Sequence, residues 1–305
     1  MFILEIESEI GENEVSPSDL FSDDDGRIVS KTGIARLNRT DKTALQLGLI
    51  ACRKLTSLDK VREEIGFVIY VTQSPENFLP NHASIIQHEL GITGNSMCFD
   101  VNQGCSGFVQ ALYILNSLLS TSGDRYGLIV CSDTYSHHMS HDDRSTQALF
   151  SDGATAVIVE KKQKEGWELT GISNHTDGSG ASLLMKSVMN DDKMRMNGPE
   201  IFQWTRRFLG RQIGALLDKH DLCLDDVDSF FLHQASKLVL DNVTGSLSIP
   251  KHKVPTTLGI TGNLVSSSLP FLIKNNYSQF NDSRLLVLAG FGVGLSSSIC
   301  ILKKC

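Results

Sequence analysis

Six short β-branched runs bounded by turn residues recur along the chain and alternate with stretches whose apolar residues return every three or four positions. The runs are Ile65 to Val71, Met97 to Val101, Gly127 to Ser132, Ala154 to Glu160, Ser229 to Leu232 and Leu285 to Ala289, and they read as buried strands. Thr43 to Leu55, Ser84 to Leu90, Ser106 to Leu119, Ile201 to Leu217 and Ser236 to Leu247 carry the spacing of helices that lay one face on a sheet. Such alternation restricts the chain to an α/β fold with mostly parallel strands. The loosest stretch, Asp177 to Gly198, is rich in Gly, Ser, Asn, Asp and Met. It separates two halves that each contain strand-helix-strand units, so two similar halves packed together are expected.

Charge and cysteine usage narrow the function classes. The 305 residues carry 28 Lys and Arg against 35 Asp and Glu, a net charge of −7, which leaves no positive field for a nucleic acid backbone. The apolar run from Met1 to Ile10 is broken by Glu5, Glu7 and Glu9 and has no basic start. It reads as no signal peptide, and no stretch has the length of a membrane span. The seven cysteines are scattered, odd in number and without metal-ligand spacing. A zinc site and a disulfide framework are therefore not expected, and a cytoplasmic location is. Cys52, Cys98, Cys131, Cys223 and Cys300 read as buried core thiols.

Cys105 is different. Met97 to Leu112 describes a strand running through a Gly-containing turn into a helix, and Cys105 falls where that helix begins. The partial positive charge and unpaired N–H groups of a helix start stabilise a thiolate and can hold an oxyanion, so Cys105 is the candidate nucleophile. Among nine histidines, His233 ends an apolar strand at the sheet edge where α/β proteins place ligands. His82, His88, His175, His220 and His252 read as exposed helical or loop residues, and the cluster His137, His138 and His141 as a solvated loop rather than a metal site. Asn263 follows Gly262 ahead of a helix rich in small residues, and alone it reads as an ordinary turn asparagine. Gly290, Gly292 and Gly294 follow a strand but do not match a dinucleotide loop. A backbone that approaches a ligand closely accounts for them.

Taken in order, these pieces resemble the 3-oxoacyl-acyl-carrier-protein synthases III of the thiolase superfamily. Lys31 to Ile34 is similar to the family's early R-T-G-I, and Asp100 to Gly107 to its D-V-x-x-x-C-x-G turn. Ser132-Asp133, Asp143-Arg144, Phe150 to Ala154, Asp177 to Ser179, Met196 to Phe202, His233 to Ala235, Gly262-Asn263 and Gly290 to Gly292 follow in family order. The resemblance implies a five-layered αβαβα fold of two pseudo-equivalent halves, 1–162 carrying the nucleophile and 163–305 carrying His and Asn, in a homodimer. It implies a Cys105, His233, Asn263 triad, with the backbone N–H groups of Cys105 and Val293 as oxyanion hole.

The reaction so implied moves an acyl group from coenzyme A or an acyl carrier protein onto Cys105 and then condenses it with malonyl carrier protein. The substrates are coenzyme A or phosphopantetheine thioesters; no metal or other cofactor is called for. Arg27, standing where the family has a Trp, and Arg144 would flank the adenine of coenzyme A, and Asn197 would lie with the substrate-binding residues. Phe78 and Leu79 would form part of the acyl pocket, reaching across the dimer. Arg206, Arg207 and Arg211, with Lys237, read equally as a docking spot for an acidic carrier protein or as a solvated helix face. Arg27, Ala35 after T-G-I and Val293 in place of a glycine depart from the family, which suggests a specialised fatty acid, polyketide or secondary-metabolite pathway. Two other readings stay open at this point: transfer of the acyl group to an alcohol or amine, and an idle partner subunit.

Overall fold

A computed structural model describes residues 1–21, 26–161, 166–187 and 193–305. The first half builds a five-stranded sheet from β1 (Phe2–Ile10), β2 (Ile65–Val71), β3 (Met97–Val101), β4 (Tyr126–Asp133) and β5 (Gly153–Glu160), in the order β1-β5-β4-β2-β3. The second builds a four-stranded sheet from β6 (Trp167–Thr176), β7 (Ser229–Leu232), β8 (Leu285–Gly292) and β9 (Ser296–Lys304), in the order β6-β9-β8-β7. The plan repeats. In each half the first strand lies antiparallel to the last, the last antiparallel to its inner neighbour, and that neighbour parallel to the next. Both sheets are thus mixed, a correction to the mostly parallel expectation: pairing its first and last strands antiparallel closes each half. The expected boundary at residues 162 and 163 lies outside the described residues.

Helices fill the remaining layers. α1 (Ala44–Arg53) and α2 (His82–Glu89) cover the outer face of the first sheet, α3 (Gly107–Thr121) and α6 (Ser268–Asn275) lie between the sheets, and α4 (Gly198–Lys219) and α5 (Lys237–Ser246) cover the second. Position in the stack explains composition. α3 touches both sheets and is apolar on almost every side, burying Phe108, Val109, Ala111, Leu112, Leu115 and Leu119, whereas α4 buries one stripe, Trp204, Leu209, Ile213, Leu216 and Leu217. Three apolar clusters separate the layers. Their burial is the main stabilising contribution, at about 25 cal/mol per Å² of apolar surface.

Two cysteine readings and one histidine reading change. Cys223 is exposed rather than core, because it lies in the turn after α4, and Cys98 is half-buried at the edge strand β3. His82 is 0% exposed, not on the surface. Its Nδ1 lies 3.1 Å from Asp100 Oδ2 and its Nε2 2.9 Å from Glu76 Oε2, so two carboxylates replace the water it gives up.

Candidate active site

Cys105 sits in the turn from β3 into α3. Gly107 N donates to Gly104 O at 2.8 Å, and the Ser106 hydroxyl lies 2.9 Å from that of Ser296 on β9, fastening the turn to the other half. The thiol is 6% exposed. Burial first and the nearby Asp133 charge second push its pKa well up, opposite in direction to the lowering expected of a helix start.

The second half closes over this thiol. A Cβ on Gly290 would fall 2.6 Å from Cys105 O, and one on Gly292 3.1 and 3.2 Å from Cys105 Cβ and Sγ; the glycines of the loop exist for close approach, to Cys105 itself. The Cys105 backbone N–H lies against its own thiol, and neither it nor the Val293 N–H donates to a backbone carbonyl among the described residues. His233 follows β7 and extends its pairing by donating its N–H to Ala289 O at 2.8 Å. The ring meets Phe291 edge-on at 5.5 Å, and burial lowers its pKa to about 3. It is therefore a neutral imidazole across the physiological range.

Asn263 is held by its neighbours. Its N–H donates to Leu149 O and its carbonyl accepts from Ser151 N, at 3.0 and 2.9 Å, a parallel bridge that ties it to the first half. Gly262, at φ +66, turns the chain into this bridge where a Cβ would meet Leu37, Ile34 and Leu149 O at 3.0 to 3.1 Å. Asn263 Oδ1 accepts from Val265 N and Ser268 Oγ, which leaves the amide nitrogen as donor. Cys105, His233 and Asn263 all line one cavity of about 160 Å³ whose walls include Phe150, Leu184, Met196, Ile201 and Phe291.

Two supporting residues carried no role in the sequence reading. Gln234, fully buried, accepts from Thr256 Oγ1 and Thr257 N and donates to Leu232 O, fixing the chain on either side of His233. Asp133, at the end of β4, is 0% exposed and accepts from Gln73 N at 2.7 Å and from Ser266 N and Oγ at 3.3 and 2.5 Å. Burial pushes its carboxyl up to about 7 against those bonds. The signals available were an acid closing an otherwise apolar strand and the place of Ser132-Asp133 among the family-like motifs.

The remaining expected residues are spread around this centre. Arg27 opens the short helix Arg27–Thr32, and the Arg144 guanidinium lies 4.6 Å over the Phe21 ring. Asn197 caps α4, with both polar side-chain atoms bonded to Glu200. Arg206, Arg207 and Arg211 are exposed on α4, whereas Lys237 is ion-paired to Asp241. Phe78 and Leu79 are 82% and 87% exposed and do not line the cavity at Cys105; Phe78 lines a second one beside it. Among the described residues no group of three or more His, Cys, Asp or Glu side chains is placed to hold a metal ion, and no helix is long and apolar enough to cross a membrane.

Residues 99–190 match the family model for 3-oxoacyl-[acyl-carrier-protein] synthase III and residues 217–304 that for its C-terminal part. A beta-ketoacyl-[acyl-carrier-protein] synthase III of Clostridium perfringens is 30% identical over 292 residues, 90% of each chain. The chain belongs to the 3-oxoacyl-[acyl-carrier-protein] synthase III family. A synthase III of Streptococcus agalactiae is 29% identical, covering 92% of this chain and 90% of its own. A crystal structure of a 3-oxoacyl-(acyl-carrier-protein) synthase III superposes with a TM-score of 0.91 at 31% identity over 99% of both chains, which makes the stack of layers a thiolase-like fold. The chain is a β-ketoacyl synthase III-like condensing enzyme of the acyltransferase class.

Proposed function

We propose that Cys105 carries the acyl group and that His233 and Asn263 stabilise the extender's enolate. The observation that supports this is their placement: residues from three separate loops and both halves meet on one small, mostly apolar cavity. In the first step Cys105 Sγ attacks the donor thioester carbonyl, its proton passes to the departing coenzyme A or carrier thiol, and the backbone N–H groups of Cys105 and Val293 hold the oxyanion. Malonyl carrier protein then enters. Neutral His233 and the Asn263 amide donate to its thioester oxygen, so the charge released when CO₂ leaves collects where two fixed donors point. The enolate carbon attacks the acyl-Cys105 carbonyl, the C–S bond breaks, and the released thiolate takes a proton. Retention of Asn263 favours this condensation over simple transfer to an alcohol or amine, which needs no decarboxylation.

The substrates' carriers are bound by the surrounding cations in this reading. Arg27 and Arg144, the latter already stacked on Phe21, flank the adenine of coenzyme A, with Asn197 at the start of α4 shaping the mouth. Arg206, Arg207 and Arg211 receive an acidic carrier protein, with Lys237 a lesser contributor because Asp241 offsets its charge. The exposed Phe78 and Leu79 are covered by a second copy of the chain in a homodimer. The reaction calls on no cofactor beyond the thioesters, and seven free cysteines suit a reducing cytoplasm. Intact-protein mass spectrometry with an acyl-coenzyme A panel is the test: an adduct lost in Cys105→Ala and discharged by malonyl carrier protein as a product two carbons longer is expected. An adduct that malonyl carrier protein leaves in place overturns the condensation.

A further inference from the structure

The cavity at Cys105 has a neighbour with which it shares a wall. This second chamber, about 480 Å³, is open to solvent and shares Leu184 with the first; Gln73, Asn102, Tyr135, Met194 and Val293 line it. Gly104 brings the chamber to the nucleophile. A Cβ there would lie 2.5 Å from Gln73 Oε1 and 3.0 Å from Val293 Cγ1, so the Gln73 amide flanks the residue next to Cys105. That amide is fixed in orientation. Its backbone N–H is bonded to Asp133 at 2.7 Å, its Oε1 accepts from the Tyr135 hydroxyl at 2.8 Å, and its Nε2 donates to Asn102 Oδ1 at 3.3 Å.

Such a wall is poorly matched to a plain alkyl chain. An amide nitrogen carries two protons, and Gln73 gives one to Asn102; a hydrocarbon filling the chamber would strip water from the other and from the Asn102 amide without replacing its hydrogen bonds. An oxygen on the acyl chain would replace them, while Leu184, Met194 and Val293 pack the methylenes. The chamber is also far larger than an acetyl group needs. Resting on the reading of Cys105 as acyl carrier, we propose that the acyl group delivered to it is a hydroxyacyl chain, recognised by Gln73 in the orientation that Tyr135 imposes. The step itself is unchanged: the Cys105 sulfur–carbon bond forms, the donor's carbon–sulfur bond breaks, and the donor thiol leaves with the Cys105 proton.

The test compares butyryl-, 3-hydroxybutyryl- and 4-hydroxybutyryl-coenzyme A, reading the rate of the Cys105 adduct by intact mass in the wild type, Gln73→Leu and Tyr135→Phe. Wild type should be acylated at least tenfold faster by one of the hydroxyacyl donors than by butyryl. Gln73→Leu should bring that ratio to one or below, and Tyr135→Phe, which keeps the ring and frees the amide, should give an intermediate ratio. Equal rates in the wild type, a preference for butyryl, or a hydroxyacyl preference that survives both substitutions would overturn the proposal while leaving the acyl-Cys105 reading standing. An adduct formed by none of the donors, or one that persists in Cys105→Ala, would instead overturn that reading and this proposal with it.

Discussion

Gly292 is pressed against Cys105: a side-chain carbon on it would stand 3.1 Å from Cys105 Cβ and 3.2 Å from its sulfur. Both distances are inside ordinary carbon and sulfur contact, so the thiol's freedom to meet a carbonyl depends on the hydrogen at position 292. Gly292→Ala should slow formation of the Cys105 adduct at least tenfold in stopped-time mass measurements. The melting temperature should move by only a few degrees, since the crowding falls on one buried side chain.

Asn263→Ala should separate the two stages of the reaction. Its amide nitrogen is preorganised by the bonds that Oδ1 receives from Val265 and Ser268, and loss of such a donor costs on the order of 10²–10³ in turnover. Decarboxylation of malonyl carrier protein, followed as CO₂ release, should fall by that factor, while acylation of Cys105 persists within a few-fold. Equal loss in both stages would refute the separation.

The clamp on His82 should make stability depend on pH in a defined window. Asp100 first and Glu76 second raise the imidazole to about 9; Glu76, though burial pushes it up, is held down at about 2 by bonds from His82, Thr43 and Leu45. The raised His82 stabilises fully below its unfolded pKa of about 6.5 and loses that contribution as pH rises through 9, and the lowered Glu76 stabilises fully above about 4.5 and loses it as pH falls through 2. The clamp is complete between pH 4.5 and 6.5. His82→Gln should therefore cost about 2–3 kcal/mol near pH 6, and the gap from wild type should shrink by pH 10 in urea melts.

Arg207→Glu with Arg211→Glu should raise the KM for malonyl carrier protein about tenfold at low salt and abolish its salt dependence. Acylation from coenzyme A donors should be untouched, because the arginines stand on the exposed face of α4. An unchanged KM would return that face to plain solvent exposure.

Strands buried on both faces were readable to the residue. β2 and β7 have the bounds that their apolar runs give, because in these segments burial and composition coincide; the half-buried edge strand β3 keeps its run's bounds too, although Met97 in it is exposed. β1, β6 and β9 were not readable. In β1 acids alternate with Ile3 and Ile6, β6 is a polar edge strand, and β9 begins with Ser296, Ser297 and Ser298, buried but bonded to Ser106 and Val293 O, to Gln212 and to Asn174. Polar residues that find partners inside look like surface until the partner is known. The same reason hid His82 between its carboxylates and Asp133 among its donors. Cys105 and His233 stood out because each stands where a strand ends, whereas Asn263 alone reads as a turn asparagine and joined them only through the family resemblance.

The pairing of β1 with β5, from Phe2 opposite Glu160 to Ile10 opposite Gly153, bears on how the protein is made. A ribosome delivering this chain releases β1 some 150 residues before its partner, and β6 waits similarly for β9. Each half meanwhile presents an open strand edge of the kind that recruits other chains. Chaperone occupancy during synthesis should accordingly peak twice, falling once residue 160 has emerged and again after residue 304. A message cut short just before Ser296 would remove an interior strand rather than a fringe, stranding Trp167–Thr176 with nothing to pair with.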